Sequence, residues 1–137
     1  MKLSEEERKI IVKYRLERAK DTLLDARISI QNNRWHSAVN RLYYACFYAA
    51  IALLINDEHV TRTHSGVKTL LGLYYVKKGI ITKELSQAYQ KMFDMRLTGD
   101  YDDLAVITEG DVLPLVAPAE KFIAEIENLI NSHLDYA

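Results

Sequence analysis

Arg96 stands where an apolar helix face is due to continue. In the run that ends "MFDMRLTGDYDD", residues 92–103, the side chains of Leu85, Ala88, Tyr89, Met92 and Phe93 recur at helical spacing, and Arg96 falls on the same face. A guanidinium keeps its charge there, so it needs carboxylates, carbonyls or an anion. Asp100, four residues on, is the first candidate partner, although Gly99 is expected to break the helix between them; Asp94, Asp102 and Asp103 are also near in sequence. Two readings stay open. One is an Arg–Asp pair that pins a helix end; the other is an anion or RNA-phosphate site at the edge of a bundle.

A second charge stands alone in "SAVNRLYYACFYAAIALLIN", where Arg41 is the one charged residue and shares a helical face with Tyr44, Ala45 and Tyr48. That polar-tipped stripe suggests a buried polar network or a subunit seam. The aromatic set Tyr43, Tyr44, Phe47 and Tyr48, like Tyr74 and Tyr75, reads as core before it reads as a base-stacking platform. His64, in "RTHSGVK", opens a helix beside Arg62, either as a local hydrogen-bonding group or as a general acid/base or phosphate ligand. His36, His59 and His133 show no ligand spacing, and neither a metal site nor a cofactor motif is expected. Cys46, alone in an apolar run, reads as a core thiol.

The elements that must position these residues are helices. Gly and Pro are scarce, no segment alternates like an exposed strand, and five helices are legible. The first runs from about Ser4 to Asn32, opened by a Ser4/Glu7 capping box, with Val12, Leu16, Ala19, Leu23, Ala26 and Ile30 at the spacing of a bundle helix. Lys13, Lys20, Arg27 and Arg34 recur with interleaved acids, which suits a solvated face. The second helix spans about Trp35 to Asn56 and is apolar nearly all round, as for a helix buried on every side or shared with another subunit. The third covers about Ser65 to Lys78 and stops at Gly79. The fourth begins after Thr82 and ends near Gly99. The fifth starts between Thr108 and Pro118, with Pro114 and Pro118 leaving its beginning uncertain or kinked, and continues on Ala119, Ile123, Ile126 and Ile130. The expectation is one all-α, up-and-down bundle of about five helices, a single domain over 1–137.

The 137 residues suffice for one domain with a core, and a formal net charge of −1 argues against tight non-specific nucleic-acid binding. The apolar run over 42–55 is shorter than the roughly 18 residues of a membrane span. With no apolar leader after "MKLSEEERK", the chain reads as cytoplasmic, with no membrane partner.

Taken in order, "AVNRLYYACFYAAIALL", "THSGVKTLLGLYYVKKG", "RLTGDYDD" and "APAEKFIAEIENLI" resemble the HEPN domain, over about residues 5–132. More narrowly, the chain is similar to the small single-domain branch with an Arg-x-x-x-Asp-Tyr signature. The resemblance implies a helical bundle that dimerises, and a small nucleotidyltransferase as partner in a toxin–antitoxin-like module. It also implies, for many members, metal-independent RNA cleavage by an Arg and a His a few residues apart. Here the histidine positions after Arg96 hold Tyr101, Asp102 and Asp103. Three functions therefore stay open: a partner of a nucleotidyltransferase that binds nucleotide, RNA or that enzyme with weak or no catalysis; an RNA endonuclease using Arg96 and an unconventional base such as His64; and a helical dimerisation scaffold. Whether the chain is an enzyme is left undecided. The candidate site is Arg96 and His64, with Arg41, Tyr44, Asp100 and Tyr101 as the polar network. From the family resemblance, Tyr101 is also the candidate for adenylylation. A homodimer is expected because the second helix has more apolar faces than a small bundle needs to bury.

Overall fold

The structure, a computed structural model, describes residues 2–61 and 63–135, with side chains described as far as 132. Arg62 and the side chain of His133 lie outside the described residues. Five α-helices make up the fold: α1 (Glu5–Gln31), α2 (Trp35–Asn56), α3 (His64–Leu71), α4 (Lys83–Tyr101) and α5 (Glu109–Asp135). The described residues contain no strand. This is the expected all-α bundle.

The capping box forms as read. Glu7 N donates to Ser4 Oγ at 3.1 Å and Ser4 N to Glu7 Oε1 at 3.0 Å, which satisfies two donors that a helix start otherwise leaves to water. A three-residue turn then sends the chain into α2, with Asn33 taking the left-handed conformation (φ 58°). α2 is the axis of the fold. Twelve of its residues are buried, from Ala38 to Leu54, and α1, α3, α4 and α5 all pack on it. It is long and apolar enough to cross a membrane by composition alone, yet its apolar sides face the other helices. The bundle covers most of α2 and leaves Tyr44, Tyr48, Ile51 and Ile55 half-buried on one face.

Two boundaries differ from expectation. The third helix is α-helical only to Leu71. It continues as a π-helical turn over Gly72–Val76, where Lys77 N reaches Gly72 O at 2.9 Å. Gly79 (φ +75°) then ends it, and Ile80 N and Ile81 N return to Tyr75 O at 2.8 and 3.2 Å.

Gly99 does not break α4; the helix passes through it to Tyr101. A Cβ at position 99 would stand 2.6 Å from His36 Nε2 and 2.8 Å from Ile107 Cδ1. Glycine here gives room to the ends of the His36 and Ile107 side chains and is not a stop signal.

α5 starts at Glu109, where the Asp111 carboxylate accepts from Thr108 N at 2.9 Å and Thr108 Oγ1 at 3.0 Å. It runs through both prolines. The carbonyls they leave without an intrahelical donor belong to Gly110 and Pro114, both exposed, where water can serve. Beyond them Ala119, Ile123, Ile126 and Ile130 are buried, as their spacing implied.

Candidate functional site

α4 turns Leu85, Tyr89 and Met92 into the core, and Arg96 follows them at 7% exposure. Its guanidinium enters an aromatic recess, 4.8 Å from the Tyr43 ring centre and 5.5 Å from those of Tyr44 and Phe93. Stacking of this kind stabilises a cation that burial has stripped of water. Nη1 donates to the Tyr44 hydroxyl at 3.3 Å and lies 3.6 Å from Asp100 Oδ2. Because α4 continues through Gly99, Asp100 sits one turn beyond Arg96 on the same face. Arg96 Nε is buried without a hydrogen-bond partner, so the ring faces and the outer edge of the guanidinium carry its interactions.

Asp100 is shared. Its Oδ1 lies 3.5 Å from His36 Nε2, at the start of α2. Asp94 and Asp102 are not part of this cluster: Asp94 accepts from Gln90 at 2.8 Å, and Asp102 accepts from Leu104 N at 3.0 Å. Tyr44 is flanked on its other side by Arg41, whose guanidinium lies 5.3 Å from the ring and is held by two bonds to Asn40 Oδ1 at 3.1 and 2.8 Å. Arg41, Tyr44, Arg96 and Asp100 thus form a connected network. Beside it an open groove of about 470 Å³ is walled by Asp25, His36, Ser37, Asn40, Arg41 and Asp100, among others.

His64 opens α3, which is capped by Thr63 Oγ1 accepting from Gly66 N at 2.9 Å. The imidazole stacks on Phe47 with centres 4.2 Å apart, and its Nδ1 is 2.7 Å from the Tyr43 hydroxyl. Tyr43 and Tyr44 touch both His64 and Arg96, so two aromatic rings bridge the two groups. Burial, and then the Arg96 charge, hold His64 below its ordinary pKa, which keeps it neutral at pH 7. Burial pushes Tyr43 up to about 12, so its hydroxyl keeps its proton. The pair has two proton arrangements: Tyr43 donating to Nδ1, or Nδ1 donating to Tyr43 and leaving Nε2 bare.

Tyr101 ends α4 at 79% exposure. Cys46 is buried, and burial alone pushes its thiol pKa up, which suits an inert core group. Among the described residues no cluster of three or more His, Cys, Asp or Glu is placed to hold a metal ion. Some members of the cluster carried no sequence signal. His36 joins Asp100 only through the α2–α4 crossing at Gly99. Tyr43 and Phe47 read as core, and nothing in their spacing pointed to His64.

Electrostatically, the site is a buried cation with an acid on its outer side and a neutral imidazole across two rings. It can present one charged donor and one imidazole nitrogen to an anionic group, provided Asp100 yields.

A family model described as the HEPN domain matches residues 12–129. A "UPF0332 protein" of Thermotoga maritima is 42% identical over 90% of this chain and 94% of its own length. A protein of Methanocaldococcus jannaschii named "Putative toxin MJ0605" is 31% identical over 87% of this chain and 88% of its own. Among solved structures, that of TT1696 from Thermus thermophilus superposes with a TM-score of 0.73 over 85% of this chain and 96% of that one, at 19% identity, a likeness of fold alone. With the family model spanning most of the bundle, from α1 to the last turns of α5, the chain belongs to the HEPN-domain family.

Proposed function

We propose that this chain is the HEPN component of a toxin–antitoxin-like module, paired with a small nucleotidyltransferase, and that its Arg96 centre binds a phosphate of RNA or nucleotide with weak or no cleavage. The Arg96–Asp100 pair carries the reading. Where a cleaving site would leave its arginine open, Asp100 sits 3.6 Å from this one. A carboxylate beside a guanidinium stays ionised, accepts protons poorly and repels phosphate. The toxin names of the Methanocaldococcus jannaschii relatives support the class of module.

The test is binding of a fluorescein-labelled single-stranded RNA, followed by polarisation with chelator present. Arg96→Ala should lose binding, while Asp100→Asn, which frees the guanidinium, should bind several-fold tighter. Equal binding by all three proteins would remove Arg96 from the site.

The endonuclease reading keeps one specific support: the neutral His64 shares Tyr43 and Tyr44 with Arg96. It requires the arrangement in which Nε2 is bare and can take a proton from a 2′-hydroxyl. Robust chelator-resistant cleavage, lost in both Arg96→Ala and His64→Ala, would establish it in place of the weak-binding reading.

Tyr101 is the proposed point of control. Its exposure suits an enzyme's access. Transfer of AMP from ATP to its hydroxyl would release pyrophosphate and place a phosphodiester anion next to Asp100, Asp102 and Asp103, within reach of Arg96's charge. In co-expression with the transferase, peptide mass spectrometry should find the adenylate on Tyr101; adenylate only on other tyrosines would end this role.

A further inference from the structure

The core holds one phenol whose proton has nowhere to go. Tyr89, on the inner face of α4, is 3% exposed, with its ring centre 5.4 Å from that of Phe122 and 5.7 Å from that of Tyr43. Its hydroxyl has no partner in hydrogen-bonding geometry. A buried O–H left in that state is costly, so its proton needs an acceptor. Among the described residues, the polar groups that act on it are Tyr43, the Cys46 thiol and Arg96. A guanidinium accepts nothing and a thiol little. The Tyr43 hydroxyl is the acceptor that remains.

Tyr43 is itself fully buried, and its hydroxyl lies 2.7 Å from His64 Nδ1. Tyr89, Tyr43 and His64 thus form a line from the core to a half-buried imidazole. Each phenol has one proton, so the line can run in two directions. Run inward, Nδ1–H donates to Tyr43 and Tyr43 to Tyr89, and the Tyr89 proton is stranded in the core. Run outward, Tyr89 donates to Tyr43 and Tyr43 to Nδ1, and the spare donor is His64 Nε2–H at the half-buried end. The outward direction alone leaves no buried proton unpaired. Burial raises the pKa of both phenols, and their mutual hydrogen bond acts downward on Tyr43 and upward on Tyr89, the signs of an acceptor and a donor.

We propose that Tyr89 and Tyr43 are positioning residues that hold His64 with its proton on Nε2, so that the imidazole meets a bound phosphate oxygen as a hydrogen-bond donor. The proposal rests on the reading of the Arg96 centre as a phosphate site and deepens it. Tyr43 orients both donors, because its ring faces the Arg96 guanidinium at 4.8 Å while its hydroxyl holds His64. The site then offers phosphate one charged donor and one neutral donor. The bare imidazole nitrogen, Nδ1, is occupied by Tyr43, which withholds the base that attack by a 2′-hydroxyl needs. Weak or absent cleavage follows from the direction of the line.

Three measurements test it. At about pH 8, where the imidazole is neutral, nitrogen-15 spectra should show His64 protonated on Nε2 and bare on Nδ1; a ring protonated on Nδ1 would overturn the proposal. Tyr89→Phe should lower the melting temperature, because it removes a bond that is made. In a Tyr43→Phe background the same substitution should raise it, because there the Tyr89 hydroxyl has no acceptor. A rise in both backgrounds would show that Tyr89 never donates to Tyr43 and would overturn its role. In binding of the labelled single-stranded RNA, His64→Leu should weaken affinity several-fold, and His64→Gln, whose amide N–H can stand in for Nε2–H, should recover most of the loss. Equal loss in the two variants would overturn the donor role. A wild type that binds no RNA, yet gives the expected spectra and melts, would remove the proposed function and leave the Tyr89–Tyr43–His64 line standing.

Discussion

Asp100 answers to two partners, Arg96 on its own helix and His36 from α2, and its side chain is 30% exposed. That exposure sets what the pair is worth. In Arg96→Ala the carboxylate left behind can take water, so the loss comes mainly from ring stacking and the Tyr44 bond. It should be about 2–3 kcal/mol, read as a lower denaturant midpoint with unchanged slope. His64 makes the pH prediction. Its folded pKa lies below the 6.5 of the free group, so as pH falls the unfolded chain binds protons first. The stability His64 confers is present above pH 6.5 and is lost as pH falls through the interval down to the folded value. Stability measured from about pH 7 to 5 should decline, and His64→Gln should flatten that decline. Nitrogen-15 spectra of the ring should report which of the two arrangements the Tyr43 hydroxyl, at 2.7 Å from Nδ1, favours. Tyr43→Phe should mix the two; an unchanged spectrum would mean that the bond does not hold the ring.

Helix packing decides whether those residues meet at all. The α2–α4 crossing is close only because position 99 lacks a Cβ, so Gly99→Ala must push His36 and Ile107 aside. The His36–Asp100 contact should go with that shift, visible as displaced His36 ring resonances by NMR; unaltered resonances would show that the crossing has slack. The same position explains where the sequence misled. A Gly before an Asp near the end of a helical pattern looks like a terminator, and only the neighbour across the crossing reveals it as a contact. The helices themselves were legible because one-face periodicity is local: the Val12-to-Ile30 and Ala119-to-Ile130 stripes need no partner to be recognised. The Arg96–Asp100 pair was legible for the same reason, being four residues apart. The links from His36 to Asp100 and from His64 to Tyr43 span elements, and no spacing along the chain encodes them. In α2, uniform apolarity cannot say whether helices of the same chain or of another cover it.

At the scale of the molecule, the bundle covers most of α2 and leaves large apolar side chains exposed on the outside of α1, at Ile10, Tyr14, Leu24 and Ile28, and between α4 and α5, at Leu104 and Val106. The π-helical turn over Gly72–Val76 has a consequence for how long this chain needs to be. A turn closed by an i→i+5 bond holds one residue more than an α-helical turn does, and Leu73 within it is 47% exposed. The turn is thus a place where the chain can change length without changing shape. Excising Leu73 should let the α3 hydrogen-bond ladder run on as a regular helix toward Gly79, with a melting temperature close to that of the full chain. The same excision at Leu71, which is buried, should unfold it.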